Sequence, residues 1–213
     1  YADKGEYLTA TKLVMDYDGV SFTGAGKGAT IILSSSGECG VILKHKDHTQ
    51  LNQVILKYAT LKGMTIESVY SRITTPVVGV NASYLPFTTG VFGDYGVRAR
   101  RSTDITLDDL DIIGFFTGLS IARTFYTKIT NISAERNYYG FYSEALNTPV
   151  TMSSINLNLN SHGYFIDTDT NSVLLDLFDK DTSRLVITGA SFGVSGGSIE
   201  SSEFYAIKIE GFC

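Results

Sequence analysis

Proline is scarce in this sequence, with three residues in 213. There is no long polar tract either, so nothing reads as a linker, and a single domain is expected over residues 1–213. Cysteine is scarcer still. Cys39 and Cys213 lie too far apart in the chain to suggest a disulfide framework, and reduced structural thiols are expected. His45 and His48 sit in a polar turn without companions at metal-ligand spacing, so neither metal nor cofactor is expected. Basic residues are outnumbered, 17 Lys and Arg against 22 Asp and Glu, giving a net charge of −5. That balance argues against nucleic acid, whose phosphates need a basic face. No run of 18 apolar residues occurs, so no membrane span is expected. Helical periodicity is missing as well, with no i, i+3, i+4 apolar face of ten residues or more.

What the sequence does have is a repeat. Six segments pair a small or turn-compatible residue with an apolar/variable/apolar triplet. They begin at Gly96, Gly118, Gly140, Gly163, Arg184 and Ala206, a period of about 22 residues. A second apolar pulse follows the first five: Ile105 to Ile112, Ile129 and Ile132, Val150 to Leu157, Val173 and Leu175, and Val194 and Ile199. The triplets are rich in Val, Ile, Tyr, Phe and Thr, as strands are. Leucine-rich repeats share the period, but their Leu-x-x-Leu-x-Leu frame is absent. The expected fold is all-β, a single-stranded right-handed parallel β-helix with coils of about 22 residues. Leu61-Lys62-Gly63-Met64-Thr65-Ile66 matches Leu107 to Ile112 and is expected at the same place in an earlier coil. Residues 70–95 exceed the period and are expected to form an inserted surface loop. The chain starts without Met and stops at Ile209-Glu210-Gly211-Phe212-Cys213, inside a coil, so it is expected to be an excerpt of a longer protein.

Gly24, Gly26 and Gly28 flank Lys27, but the spacing is not that of a phosphate loop and no helical pattern follows. Coil corners are the expected role of these glycines. The wider stretch carries a family resemblance. Tyr7-Leu8-Thr9, an apolar strand, and then residues 19–33 (GVSFTGAGKGATIIL) resemble the opening coils of pectate-lyase-like β-helices, most of all bacteriophage tailspike and tail-fibre depolymerases. The resemblance implies a homotrimer on the virion tail that binds and degrades a bacterial surface polysaccharide, capsule or O-antigen. Two other readings stay open: a non-catalytic shaft or receptor-binding module of a tail fibre, and a secreted polysaccharide lyase.

Stacking gives a geometric expectation for the site. Counting from each anchor, positions one and three are apolar, Ser143 excepted, and face the core, so positions two and four face out. Residues at equal positions in successive coils stand about 4.8 Å apart. One outer face would then gather Arg98, Arg100 and Arg123, the aromatic Tyr139 and Tyr142, and His162, as a carbohydrate-binding surface. The row Tyr142, Phe165, Val186 would be apolar enough to suggest lateral association. Glu144 and Asp167, on adjacent coils, are the candidate catalytic carboxylates, near the ~5 Å separation of retaining glycosidases. Asp167 and Glu210, two coils apart, would approach the ~9 Å of an inverting pair. A lyase would instead use Arg98, Arg100 and Arg123 to neutralise a uronate, with His162, Tyr139 or Tyr142 as base. Asp104, Asp108, Asp109 and Asp111 offer hard oxygen ligands, yet alternate with Ile105, Leu107, Leu110 and Ile112 and read as the wet side of a strand.

Overall fold

The computed structural model describes residues 1–48, 54–69, 95–143, 147, 149–160, 162–167, 192–200 and 205–210. Its strands form two sheets. The first stacks β1 (Gly5–Thr9), β4 (Thr30–Ser34), β7 (Thr60–Ser68), β9 (Thr106–Ile113), β11 (Thr127–Glu135), β13 (Val150–Asn158) and β15 (Phe192–Glu200), with β3 (Ser21–Thr23) also on β7. The second stacks β2 (Leu13–Met15), β5 (Cys39–Leu43), β8 (Tyr95–Thr103), β10 (Thr117–Phe125), β12 (Tyr139–Ser143), β14 (His162–Asp167) and β16 (Tyr205–Glu210), with β6 (Leu56–Lys57) on β8. Neighbouring strands are parallel throughout, and from β6 onward the chain visits the two sheets in alternation. This is the expected right-handed parallel β-helix.

Columns of like residues explain why the coils stack. In the first sheet Leu61, Leu107, Ile129 and Met152 are register partners, as are Met64, Leu110, Ile132 and Ile155, and then Ile66, Ile112, Ala134 and Leu157. In the second, Val41, Val97, Leu119 and Phe141 form one column, and Leu43, Ala99, Ile121 and Ser143 another. All are buried. Burying a Leu, Ile or Phe side chain contributes roughly 1.5–3 kcal/mol over leaving it exposed, and the stack repeats that gain coil after coil. The match of Leu61–Ile66 to Leu107–Ile112 is the register found.

Corners are as regular as strands. Left-handed backbone recurs in columns: Gly63, Asp109, Asn131 and Ser154; Arg101 and Arg123; Gly114, Arg136 and Leu159; Gly19, Tyr58, Asp104 and Tyr126. Buried asparagines hold another corner. Asn137 Oδ1 accepts the Phe115 N–H at 2.9 Å, and Asn160 Oδ1 accepts the Asn137 N–H at 2.9 Å. Each amide then donates onward, Asn137 to Ile112 O and Asn160 to Ala134 O. Of the alternating Asn156, Asn158 and Asn160, only the last is buried in this ladder, while Asn156 faces solvent. The ladder also explains two anchor glycines. A Cβ on Gly118 would lie 2.8 Å from Asn137 Nδ2, and one on Gly140 2.8 Å from Asn160 Nδ2.

One expected rung is not there. The period places a coil at 184–187, between Gly163 and Ala206, but β14 pairs directly with β16, His162 opposite Tyr205. Residues 168–191, with the apolar alternation at 184–187, lie outside the described residues. Strand adjacency is fixed by hydrogen bonding, which a periodic pattern alone does not specify. The expected loop likewise lies outside the described residues at 70–94, and Tyr95 opens β8.

Candidate functional site

The outward side of the second sheet is set by its registers. Tyr95, Thr117, Tyr139, His162 and Tyr205 form one column; Arg98, Ser120, Tyr142, Phe165 and Lys208 form the next; Arg100 is opposite Ala122. Three adjacent strands thus bring together Arg98, Arg100, Tyr139 and Tyr142, four of the residues expected there. Arg123 stands one position further, at the left-handed corner with Arg101. His162 is the backbone partner of Tyr139. Asp167 closes β14 one residue past Ile166, the partner of Ser143, and Glu144 lies outside the described residues.

Two expectations need correcting. Asp167 and Glu210 are direct register partners, not residues two coils apart, because no rung separates β14 from β16. Their backbones stand one strand spacing apart, about 4.8 Å, which removes the basis for an inverting separation. The row beyond Tyr142 and Phe165 continues with Lys208, not Val186, so the uninterrupted apolar row does not exist. A third difference is one of degree: Ser120 and Ala122 occupy outward positions but are buried. Ser120 sits in register between the much longer Arg98 and Tyr142, and Ala122 beside Arg100.

Aromatic contacts bind this surface together. The Arg98 guanidinium carbon lies 4.1 Å from the Tyr95 ring centroid, a cation–π geometry. Phe116 and Tyr138 stack with centroids 4.9 Å apart and planes 8° from parallel. Tyr139 meets both edge-on, at 5.6 Å and 4.8 Å, and Tyr142 lies 5.3 Å from Tyr139. Edge-on and offset pairs suit the ring quadrupoles. The array therefore extends past the expected residues to Phe116 and Tyr138. Both stand two positions before their anchor glycines, so the same counting could have found them.

Other sequence candidates resolve differently. The N–H groups of the glycine-rich stretch are used internally: Gly24 donates to Lys62 O, Gly26 to Gly63 O and Gly28 to Thr65 Oγ1. Lys27 pairs with Asp111 at 3.4 Å, and β4, not a helix, follows. Gly19, Gly26 and Gly28 take the positive φ expected of corner glycines. The aspartates do not converge. Asp104 accepts from Thr103, Asp108 from Thr130 at 2.5 Å and Asp109 from Asn131 at 2.7 Å. Among the described residues no group of three or more His, Cys, Asp or Glu could hold a metal. Burial raises the Asp111 carboxyl above the ordinary aspartate range, and the facing Lys27 ammonium opposes that shift. Cys39 is a buried thiol, in no disulfide, that donates to Val41 O at 3.1 Å, and Cys213 lies outside the described residues.

No protein-family model and no curated protein matches this chain. Solved structures do. A protein described as Geobacillus virus E2 ORF18 superposes with a TM-score of 0.59 at 17% identity, over 78% of this chain and 30% of that one. Two structures of pectin methylesterase, one in complex with a hexasaccharide VII and one of a mutant with a hexasaccharide IV, give TM-scores of 0.45 and 0.46 at 9% identity. They cover 78% and 97% of this chain, and 54% and 60% of theirs. The chain spans less than two thirds of the length of each. The viral match is a likeness of fold.

Proposed function

We propose that this chain binds a bacterial surface polysaccharide along the outward side of its second sheet, as part of a tailspike-like protein that acts in host adsorption. The observation that carries this reading is the aromatic array Phe116, Tyr138, Tyr139 and Tyr142 beside the Tyr95–Arg98 pair, on three adjacent strands and the residues just before them. Sugar rings stack their C–H faces on aromatic side chains, while guanidinium groups donate to hydroxyls and carboxylates. A solenoid suits such a ligand because its sites repeat in one direction, as a polymer does. The fold likeness to a virus protein supports the placement on a virion. The protein assembles as a homotrimer in this reading, and Glu144 with Asp167 cleaves the glycan as a closely spaced carboxylate pair.

Incubation with capsular and O-antigen polysaccharides, following reducing ends and double-bond absorbance together, tests it. New reducing ends without absorbance support the carboxylate pair, and Glu144→Gln and Asp167→Asn should each abolish them. Absorbance transfers the chemistry to Arg98, Arg100 and Arg123 as neutralising groups, with His162, Tyr139 or Tyr142 as base. Retention without cleavage leaves a receptor-binding module or shaft, and absence of both retention and cleavage across the panel sinks the reading.

A further inference from the structure

Tyr58 and Tyr126 take no part in the face just described. They belong to the corner column Gly19, Tyr58, Asp104 and Tyr126, whose φ angles are 73°, 58°, 55° and 50°. The N–H groups of Gly19, Tyr58 and Asp104 donate in the same way to the carbonyls of Lys57, Thr103 and Phe125 one coil on. This corner therefore demands left-handed backbone, which glycine adopts freely and Asp or Asn tolerates. Gly19 and Asp104 obey that demand. The two tyrosines do not, and with 64% and 66% of their surfaces exposed they gain little packing in return. Strained residues that the fold itself does not reward point to a function outside the fold.

The column places the two residues two strand spacings apart, about 9.6 Å from backbone to backbone, with the exposed Asp104 between them. Lys57 and Lys128, also exposed, flank the tyrosines in sequence, and exposed Pro149 continues the corner beyond Tyr126. We propose that this corner is a second glycan-binding ridge. Alternate sugar rings of a chain running along the solenoid axis stack on Tyr58 and Tyr126, and the Asp104 carboxylate accepts hydroxyl hydrogens from the sugar between them. Isolated rings separated by charges suit a hydroxyl-rich chain with apolar ring faces. They suit a subunit contact poorly, since the centre of such a contact is depleted of charge. The inference rests on the glycan-binding reading above, but names different residues.

The test is affinity electrophoresis of the full chain in gels cast with xanthan, gellan, alginate, colanic acid or dextran. Wild type is compared with Y58N/Y126N and with Y139A/Y142A, and each variant is also melted and sedimented. Asn relieves the left-handed strain, so Y58N/Y126N should melt at or above the wild-type temperature while its dissociation constant rises roughly tenfold or more. Loss of retardation in Y58N/Y126N but not Y139A/Y142A would leave the ridge standing and retire the sheet face. Full retardation of Y58N/Y126N, with loss in Y139A/Y142A, would overturn the ridge alone. No retardation of wild type in any gel overturns both. A changed sedimentation coefficient for Y58N/Y126N would reassign the corner to a subunit contact and overturn the proposal.

Discussion

The two sheets share one interior and have opposite exteriors. Inward, both present columns of Val, Leu, Ile and Phe that differ little in chemistry. Outward, β7, β9, β11 and β13 of the first sheet contain no aromatic residue and no arginine. Their exposed side is Thr, Ser, Asn, Asp, Glu and Lys, much of it tied into pairs such as Thr130–Asp108 and Asn131–Asp109, and Asp111 pairs with Lys27 before β4. The second sheet has Tyr95, Arg98 and Arg100 on β8, Arg123 and Phe125 on β10, and Tyr139 and Tyr142 on β12. A solenoid must repeat its interior to stack, but nothing in the stacking dictates its surface. The difference between the two exteriors is therefore where function is written.

If the interiors are equivalent, Leu110→Ala in the first sheet and Leu119→Ala in the second should each cost about 2–5 kcal/mol, because both side chains are buried. Urea unfolding of the two variants checks this, and a large gap between them would break the equivalence. The exteriors should part company in a milder experiment. Thr130→Ala removes the hydroxyl given to Asp108, and Arg98→Ala removes the cation over the Tyr95 ring. Each should cost about 1 kcal/mol or less, yet only Arg98→Ala should weaken retention in polysaccharide gels. Equal retention losses would erase the distinction between the faces.

The smallest effect concerns pH. The folded protein holds the Asp111 carboxyl above the usual range, chiefly through burial. A raised carboxyl means that the folded state binds more protons than the unfolded chain over that interval. The contribution of Asp111 is then greatest below the ordinary aspartate value of 3.8 and falls as pH rises through the folded value. Asp111→Asn should flatten this part of the stability profile, read as melting temperature from pH 3 to pH 7. An unchanged slope would show that Lys27 cancels the burial.

Much of the fold is legible in the sequence because stacking imposes a period. Gly96, Gly118 and Gly140 mark successive rungs, and Leu61 to Ile66 align with Leu107 to Ile112 by residue type alone, as their register does. The period alone misorders the strands after Gly163, because β14 pairs directly with β16. Site residues on the outward columns follow from counting positions. Their exposure does not, because it depends on neighbours across strands. Ser120 is buried between Arg98 and Tyr142, and no reading along one strand reveals that. Phe116 and Tyr138 are within reach of the same counting, two positions before Gly118 and Gly140, but their contact is not. They precede the strands, and only the stacked coils show that the residue two before each glycine meets its counterpart face to face.

The direction of the interstrand hydrogen bonds has a mechanical consequence. In both sheets they run from coil to coil, along the axis of the solenoid. A push along that axis presses the bonded groups together across every rung at once. A pull on a chain end instead peels the terminal rung, and then passes to the next. Such a body is a strut and not a tether: it transmits thrust at full stiffness but yields to tension one coil at a time.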